Sequence, residues 1–162
     1  EYDPTTDIWT RRTPMPTARA WAGAAVIQGK VYVVGGSDGK TPLAVNEVYY
    51  PQRDLDGEVP WVVKKPLPEP RARMGLSGLA EMIYLVGGET SGGVDAIIAL
   101  QYFPQDDIWE RFESPVTPVG TGAAALQMDN DLVCLGGKVE GVLEARNRSY
   151  QAIFITSLPV QK

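Results

Sequence analysis

Val31-Tyr32-Val33-Val34-Gly35-Gly36 is an apolar strand that ends on two glycines, and the chain writes it twice more. The other copies are Ile83-Tyr84-Leu85-Val86-Gly87-Gly88 and Leu132-Val133-Cys134-Leu135-Gly136-Gly137. They recur at a period of about fifty residues, the mark of a repeat architecture rather than of a unique fold. Trp9, Trp61 and Trp109 keep the same interval, so two independent markers share one period.

Further echoes fall between these landmarks. Tyr2-Asp3-Pro4, Tyr50-Pro51 and Tyr102-Phe103-Pro104 each precede a tryptophan, and Met15-Pro16, Leu67-Pro68 and Val116-Thr117-Pro118 follow it. Small-residue stretches come next: Gly23-Ala24-Ala25-Val26-Ile27, Gly75-Leu76-Ser77-Gly78-Leu79 and Gly120-Thr121-Gly122-Ala123-Ala124-Ala125-Leu126. Each leads through a short turn into a strand ending in Gly-Gly. A repeat therefore reads as four short strands: one rich in Gly and Ala, one ending in the doublet, one ending near the Tyr-Pro, and one carrying the Trp. No window has a helical period. Small residues suit a strand where backbones converge on an axis, a glycine doublet permits positive φ or close approach, and Tyr and Trp can fill a wedge that widens away from the axis.

A glycine doublet followed by Tyr and then Trp at fixed offsets resembles the Kelch repeat, of the bacterial type, and the resemblance covers essentially the whole chain. It implies an all-β Kelch β-propeller with three blades' worth of four-stranded antiparallel sheets, half of a six-bladed ring. On this reading residues 1–14 are a lone outer strand, centred on Ile8 to Arg12. Residues 20–64 and 74–112 are whole blades, and 120–158 holds three strands of another, closing with Tyr150 to Ile155 and a tail through Leu158-Pro159. Propellers have about four to eight blades. The expectation is thus either a longer parent with further sequence before Glu1, or a homodimer in which each N-terminal strand completes the other chain's last blade.

Composition removes several function classes. Twenty acidic against fifteen basic residues give a net charge of -5, the wrong sign for a phosphate-backbone binder. The absence of histidine removes Ser-His and Cys-His nucleophile activation and the usual zinc and copper sites. Cys134 stands alone in an apolar stretch and reads as a small core residue. No apolar run is long enough to span a bilayer. No cofactor, metal or nucleic-acid partner is expected, and localisation is open.

The resemblance places binding on one face of the disc, at the loops after Gly-Gly and those entering the Gly/Ala strand. The first set is Ser37-Asp38-Gly39-Lys40-Thr41, Glu89-Thr90-Ser91-Gly92-Gly93 and Lys138-Val139-Glu140-Gly141, each readable equally as a solvated turn. In the second set Arg19 and Arg73 stand before the Gly/Ala strands, with Pro118 in their place in the third repeat. In animal BTB-Kelch adaptors matching arginines grip acidic peptides; the plain alternative is that Arg19 and Arg73 cross-link adjacent blades. Trp21 is either a platform for a sugar or peptide, or core. Gly35, Gly36, Gly87, Gly88, Gly136 and Gly137, Tyr2, Tyr50 and Tyr102, and Trp9, Trp61 and Trp109 read as structural, because every repeat carries them. The expected function is a non-enzymatic module binding a protein, peptide or glycan. The alternative is a carbohydrate-active protein such as a sialic-acid mutarotase or epimerase, for which Glu47, Glu81 and Glu89 are available but form no recognisable catalytic pair. Asn147-Arg148-Ser149 is a formal glycosylation sequon.

Overall fold

The computed structural model describes residues 1–112 and 119–151. Strand β1 (Tyr2–Asp3) pairs with β2 (Ile8–Trp9) as a ribbon. A four-stranded antiparallel sheet follows, formed by β3 (Gly23–Ile27), β4 (Lys30–Val34), β5 (Asn46–Tyr49) and β6 (Trp61–Val63) in that spatial order. One short helix, α1 (Pro51–Leu55), interrupts its β5–β6 connection, with proline in its first turn. The second sheet repeats the order with β7 (Gly75–Leu79), β8 (Met82–Val86), β9 (Ala99–Phe103) and β10 (Ile108–Phe112). The third has β11 (Ala124–Met128), β12 (Asp131–Leu135) and, after a small hairpin of β13 (Lys138–Val139) and β14 (Val142–Leu143), β15 (Asn147–Gln151). The architecture is that of consecutive propeller blades. No described helix is long and apolar enough to cross a membrane.

The sheets stack through their innermost strands, β3 on β7 and β7 on β11. That contact explains the Gly/Ala content. A Cβ added to Gly23 would lie 2.6 Å from the Cβ of Leu76, and one added to Gly75 would lie 2.9 Å from the Cβ of Ala125. Between the first and second sheets Tyr32, Val34 and Val48 bury against Leu76, Ile83 and Leu85. Between the second and third, Leu79, Tyr84 and Phe112 bury against Leu132 and Cys134, so the lone cysteine is core. The three glycine doublets share one backbone geometry, with φ of +60° and +98°, +60° and +94°, and +63° and +102°.

A second device joins the sheets at their outer edge. Tyr49 pairs across the strands with Trp61, and Tyr102 with Trp109. Each tyrosine hydroxyl donates to an aspartate five residues on, Tyr49 to Asp54 at 2.6 Å and Tyr102 to Asp107 at 2.5 Å. Aspartate and tryptophan then seize one residue leaving the preceding sheet or ribbon. Asp54 accepts the Thr13 N–H while the Trp61 indole donates to the Thr13 carbonyl at 3.1 Å. Asp107 accepts the Lys65 N–H at 2.8 Å while the Trp109 indole donates to the Lys65 carbonyl at 2.9 Å.

Two expectations change. The outer strand of residues 1–14 is not lone: Tyr2–Asp3 pairs with Ile8–Trp9, because the Tyr2 ring packs on Trp9 at 5.0 Å. The ribbon thus carries both the Tyr-bearing and the Trp-bearing strand, and β15 already supplies a Tyr-bearing strand to the third sheet. The repeated tyrosine of the first sheet is Tyr49, not Tyr50, because the Tyr-Pro dipeptide is displaced by one residue there. The ring of Tyr50 instead lies under Arg53 at 4.2 Å. Val116-Thr117-Pro118, and the final strand beyond Gln151, lie outside the described residues.

Candidate functional site

Just before each innermost strand the chain makes the same turn. Ala20 bridges to Ser37, Ala72 to Glu89 and Thr121 to Lys138, tying the entry segment to the loop after Gly-Gly. The next residue in each copy, Trp21, Arg73 and Gly122, has φ of +55°, +56° and +76°. These three are strung together by backbone: the Arg73 N–H donates to the Trp21 carbonyl at 3.0 Å, and the Gly122 N–H to the Arg73 carbonyl at 2.7 Å. Glycine adopts this backbone freely, whereas another residue pays about 1–2 kcal/mol. The first two repeats therefore hold large side chains at a position that favours none.

Those side chains meet. The Arg73 guanidinium lies 4.2 Å over the Trp21 ring, and its Nε stands 3.3 Å from a Glu89 carboxylate oxygen. Trp21 is 53% exposed and the Arg73 side chain 42% exposed. Beside them opens a cleft of about 590 Å³, lined by Arg73, Glu89, Asp95, Thr121, Lys138 and Glu140 among others. Asp95 staples its two walls: it accepts the Thr121 hydroxyl at 2.7 Å and the Glu140 N–H at 2.8 Å. These bonds hold the Asp95 carboxyl below the usual range.

The other sequence candidates divide. Arg19 is unavailable to a ligand, since its side chain is 0% exposed. It donates to Glu47 at 2.8 Å and to the Val33 carbonyl at 3.0 Å, while Thr17 donates to the other Glu47 oxygen. This ties together strands of one sheet rather than adjacent blades. Ser37 is buried, and its hydroxyl oxygen accepts the Gly39 N–H. Asp38 accepts the Lys40 and Thr41 amides, which lower its pKa and shape the turn, leaving Asp38 and Lys40 exposed at its tip. Thr90 closes its own turn onto Val94, with Ser91 exposed beyond it. Glu47, Glu81 and Glu89 are not brought together: Glu47 is buried against Arg19, while Glu81 and Glu89 flank opposite ends of β8.

The spatial counterpart of Arg19 is Arg71, not Arg73. Arg71 is 1% exposed, and its guanidinium donates to the Ile98 carbonyl at 2.7 Å and the Gly87 carbonyl at 3.3 Å. The signal lay in Arg19-Ala20-Trp21-Ala22-Gly23 beside Arg71-Ala72-Arg73-Met74-Gly75, which aligns Arg73 with Trp21. No comparable signal marked Asp95 or Thr121, which are joined by topology alone.

Comparison with known proteins supports the repeat architecture. A family model described as "Kelch motif" matches residues 18–55, from the Arg19 segment through α1. The chain is 28% identical over 141 residues to Kelch-like protein 35 of Mus musculus, covering 86% of this chain and 22% of that protein. It is 30% identical over 131 residues to Kelch-like protein 36 of Bos taurus, covering 75% of this chain and 20% of that protein. It is 32% identical over 84 residues to beta-scruin of Limulus polyphemus, covering 51% of this chain and 9% of that protein. The chain thus spans about a fifth of the length of the two Kelch-like relatives.

Proposed function

The chain belongs to the Kelch-repeat family, and from that premise we propose that it is an interaction module whose loop face binds a partner protein, with the Trp21–Arg73 pair as the anchor. The observation that carries this reading is backbone strain spent on exposed side chains. Where the third repeat uses Gly122, the first two hold an indole and a guanidinium at positive φ and leave both half open to solvent. Aromatic and arginine side chains are the residue types that concentrate binding energy at protein interfaces.

The chemistry favours an acidic or amide-bearing side chain of the partner. Arg73 is oriented by Glu89 through Nε and by the Trp21 ring beneath it. Its two terminal nitrogens have no partner among the described residues, so they suit a planar carboxylate. The adjoining cleft offers Lys138 and the Thr121 side for further polar contact.

Screening the chain on peptide and glycan arrays tests the proposal. Peptides bearing Asp or Glu are expected to bind, with binding lost in Arg73→Ala and Trp21→Ala at unchanged fold. Retention restricted to glycans, or peptide binding indifferent to both substitutions, would overturn it.

A further inference from the structure

The first and second sheets treat the same buried cation differently. Arg19 and Arg71 occupy matching places ahead of β3 and β7, and their side chains are 0% and 2% exposed. In the first sheet Glu47 of β5 answers the charge, accepting from Arg19 Nη1 at 2.8 Å. Glu47 stands opposite Val33 and Val63 on the neighbouring strands. The same register on β9, opposite Leu85 and Arg111, is held by Leu100. Where the first sheet has a buried carboxylate the second thus has an apolar side chain, and where the first has Val63 the second has a guanidinium.

Arg71 is left with its charge only partly answered. Its Nη1 donates to the Ile98 and Gly87 carbonyls, whereas its Nε has no partner among the described residues. Nη2 faces Glu69 at 3.8 Å, too far for a hydrogen bond, and the Glu69 side chain is 56% exposed to water that weakens the attraction. Burial pushes the Arg71 pKa down, and Glu69 acts against that shift without cancelling it. The Nε of Arg19 is unpartnered as well, so what sets Arg71 apart is the missing carboxylate. A buried cation without a bonded counter-charge is unfavourable.

Beside Arg71 opens a cleft of about 510 Å³, within the range of roughly 300–1,000 Å³ common for small-molecule sites. Ile98, Leu100 and Trp109 give it an apolar wall, and Arg71 and Arg111 line it too. Its own carboxylates, Glu69 and Glu110, are both exposed. It shares no lining residue with the cleft beside Arg73.

We infer that this cleft binds a small carboxylate with an apolar body, whose carboxylate takes in the second sheet the part that Glu47 takes in the first. The anion displaces Glu69 and meets Nε and Nη2 together, the edge of a guanidinium that suits a carboxylate bidentately. Exposed Arg111 adds a second positive charge, and the apolar body lies against Ile98 and the Trp109 ring. A neutral amide of the same shape brings no counter-charge and leaves Arg71 as it was.

Benzoate is the probe and benzamide its neutral counterpart. In protein labelled with fluorotryptophan, the Trp109 resonance is assigned through Trp109→Phe. Benzoate is expected to shift it saturably, and benzamide at the same concentration to leave it in place. Glu69→Gln, at an exposed position, removes the competing carboxylate. It is expected to tighten benzoate binding roughly two- to fivefold, the worth of a half-exposed ion pair. Leu100→Glu writes the Glu47 arrangement into the second sheet and is expected to abolish the benzoate shift while circular dichroism stays that of the parent. A Trp109 resonance that ignores benzoate, or answers benzamide equally, overturns the inference, as does benzoate affinity that Glu69→Gln leaves unchanged. These outcomes are read on the parent chain and Glu69→Gln alone, so they decide the matter even if Leu100→Glu fails to fold. Undiminished benzoate binding by folded Leu100→Glu overturns it too.

Discussion

The indole N–H of Trp109 donates to the carbonyl of Lys65 at 2.9 Å, while Lys65 returns its own N–H to Asp107 at 2.8 Å. One residue leaving the first sheet is thereby held at both its polar groups by the second. Trp109→Phe keeps an aromatic ring on Tyr102 but leaves the Lys65 carbonyl without its donor. We expect a loss of about 1–2 kcal/mol in denaturant unfolding. Trp9→Phe, at an exposed indole without an acceptor, is expected to change stability by less than about 0.5 kcal/mol.

Arg19 and Glu47 form a buried ion pair, at 0% and 2% side-chain exposure. Removing either partner alone strands the other charge away from water, so Arg19→Ala and Glu47→Ala should each cost about 3–5 kcal/mol. The double variant should cost much less than the sum, and a thermodynamic cycle on unfolding free energies measures the difference.

Gly75 has an ordinary backbone, yet a Cβ there would lie 2.9 Å from the Cβ of Ala125 and 3.0 Å from its amide nitrogen. Gly75→Ala therefore tests sheet spacing at the inner strands rather than backbone preference. A loss of about 1–3 kcal/mol is expected from overpacking. Thermal unfolding unaltered by this change would contradict the close approach of β7 and β11.

Arg73→Gly separates stability from recognition. It relieves the positive φ, worth about 1 kcal/mol, at the cost of a partly exposed cation–π contact of about the same size. Chemical denaturation should thus show little net change, while affinity for any loop-face peptide falls at least about tenfold through loss of a charge-assisted contact.

The pH profile should fall off on both sides. Asp54 is held low by the Thr13 and Tyr49 hydroxyls and Asp95 by Thr121. On Asp107, burial pushes upward but the bonds from Tyr102 and the Lys65 N–H prevail. These carboxylates bind protons more readily in the unfolded chain, where aspartate titrates near about 3.9. Their stabilisation is full above about pH 4 and is lost as pH falls through the lowered values. Tyr49 is pushed up to about 12 by burial and its bond to Asp54. Its contribution is full below the ordinary 10.0 and is lost as pH rises from there to the raised value of about 12. Unfolding curves across pH, with tyrosinate absorbance on the alkaline side, check both limbs.

Much of the fold is legible in one dimension because a repeat makes each physical demand several times. Positive φ at a strand end demands Gly-Gly at 35, 87 and 136, convergence at an axis demands Gly and Ala, and the period joins these into sheets. The tyrosine was legible less securely. Tyr-Pro pointed to Tyr50, whereas the hydroxyl-to-aspartate spacing shared by Tyr2 and Asp7, Tyr49 and Asp54, and Tyr102 and Asp107 identifies the right residue. Arg19 shows the limit for the site. As a letter it is as good a ligand for a carboxylate as Arg73, and only its burial against Glu47 removes it.

The sequence by itself therefore determined the architecture, since backbone conformation and close packing restrict residue type position by position and the restriction recurs at a fixed interval. Tertiary structure decided which charged and aromatic groups remain free. Whether Arg19 meets Glu47, whether Arg73 rests on Trp21, and whether Asp95 reaches Thr121 depend on distances between residues far apart in the chain. The first distance is set when the strands of one sheet pair and the other two only when sheets stack, and so the polar chemistry of the exposed loop face is a property of the stack, not of any one repeat.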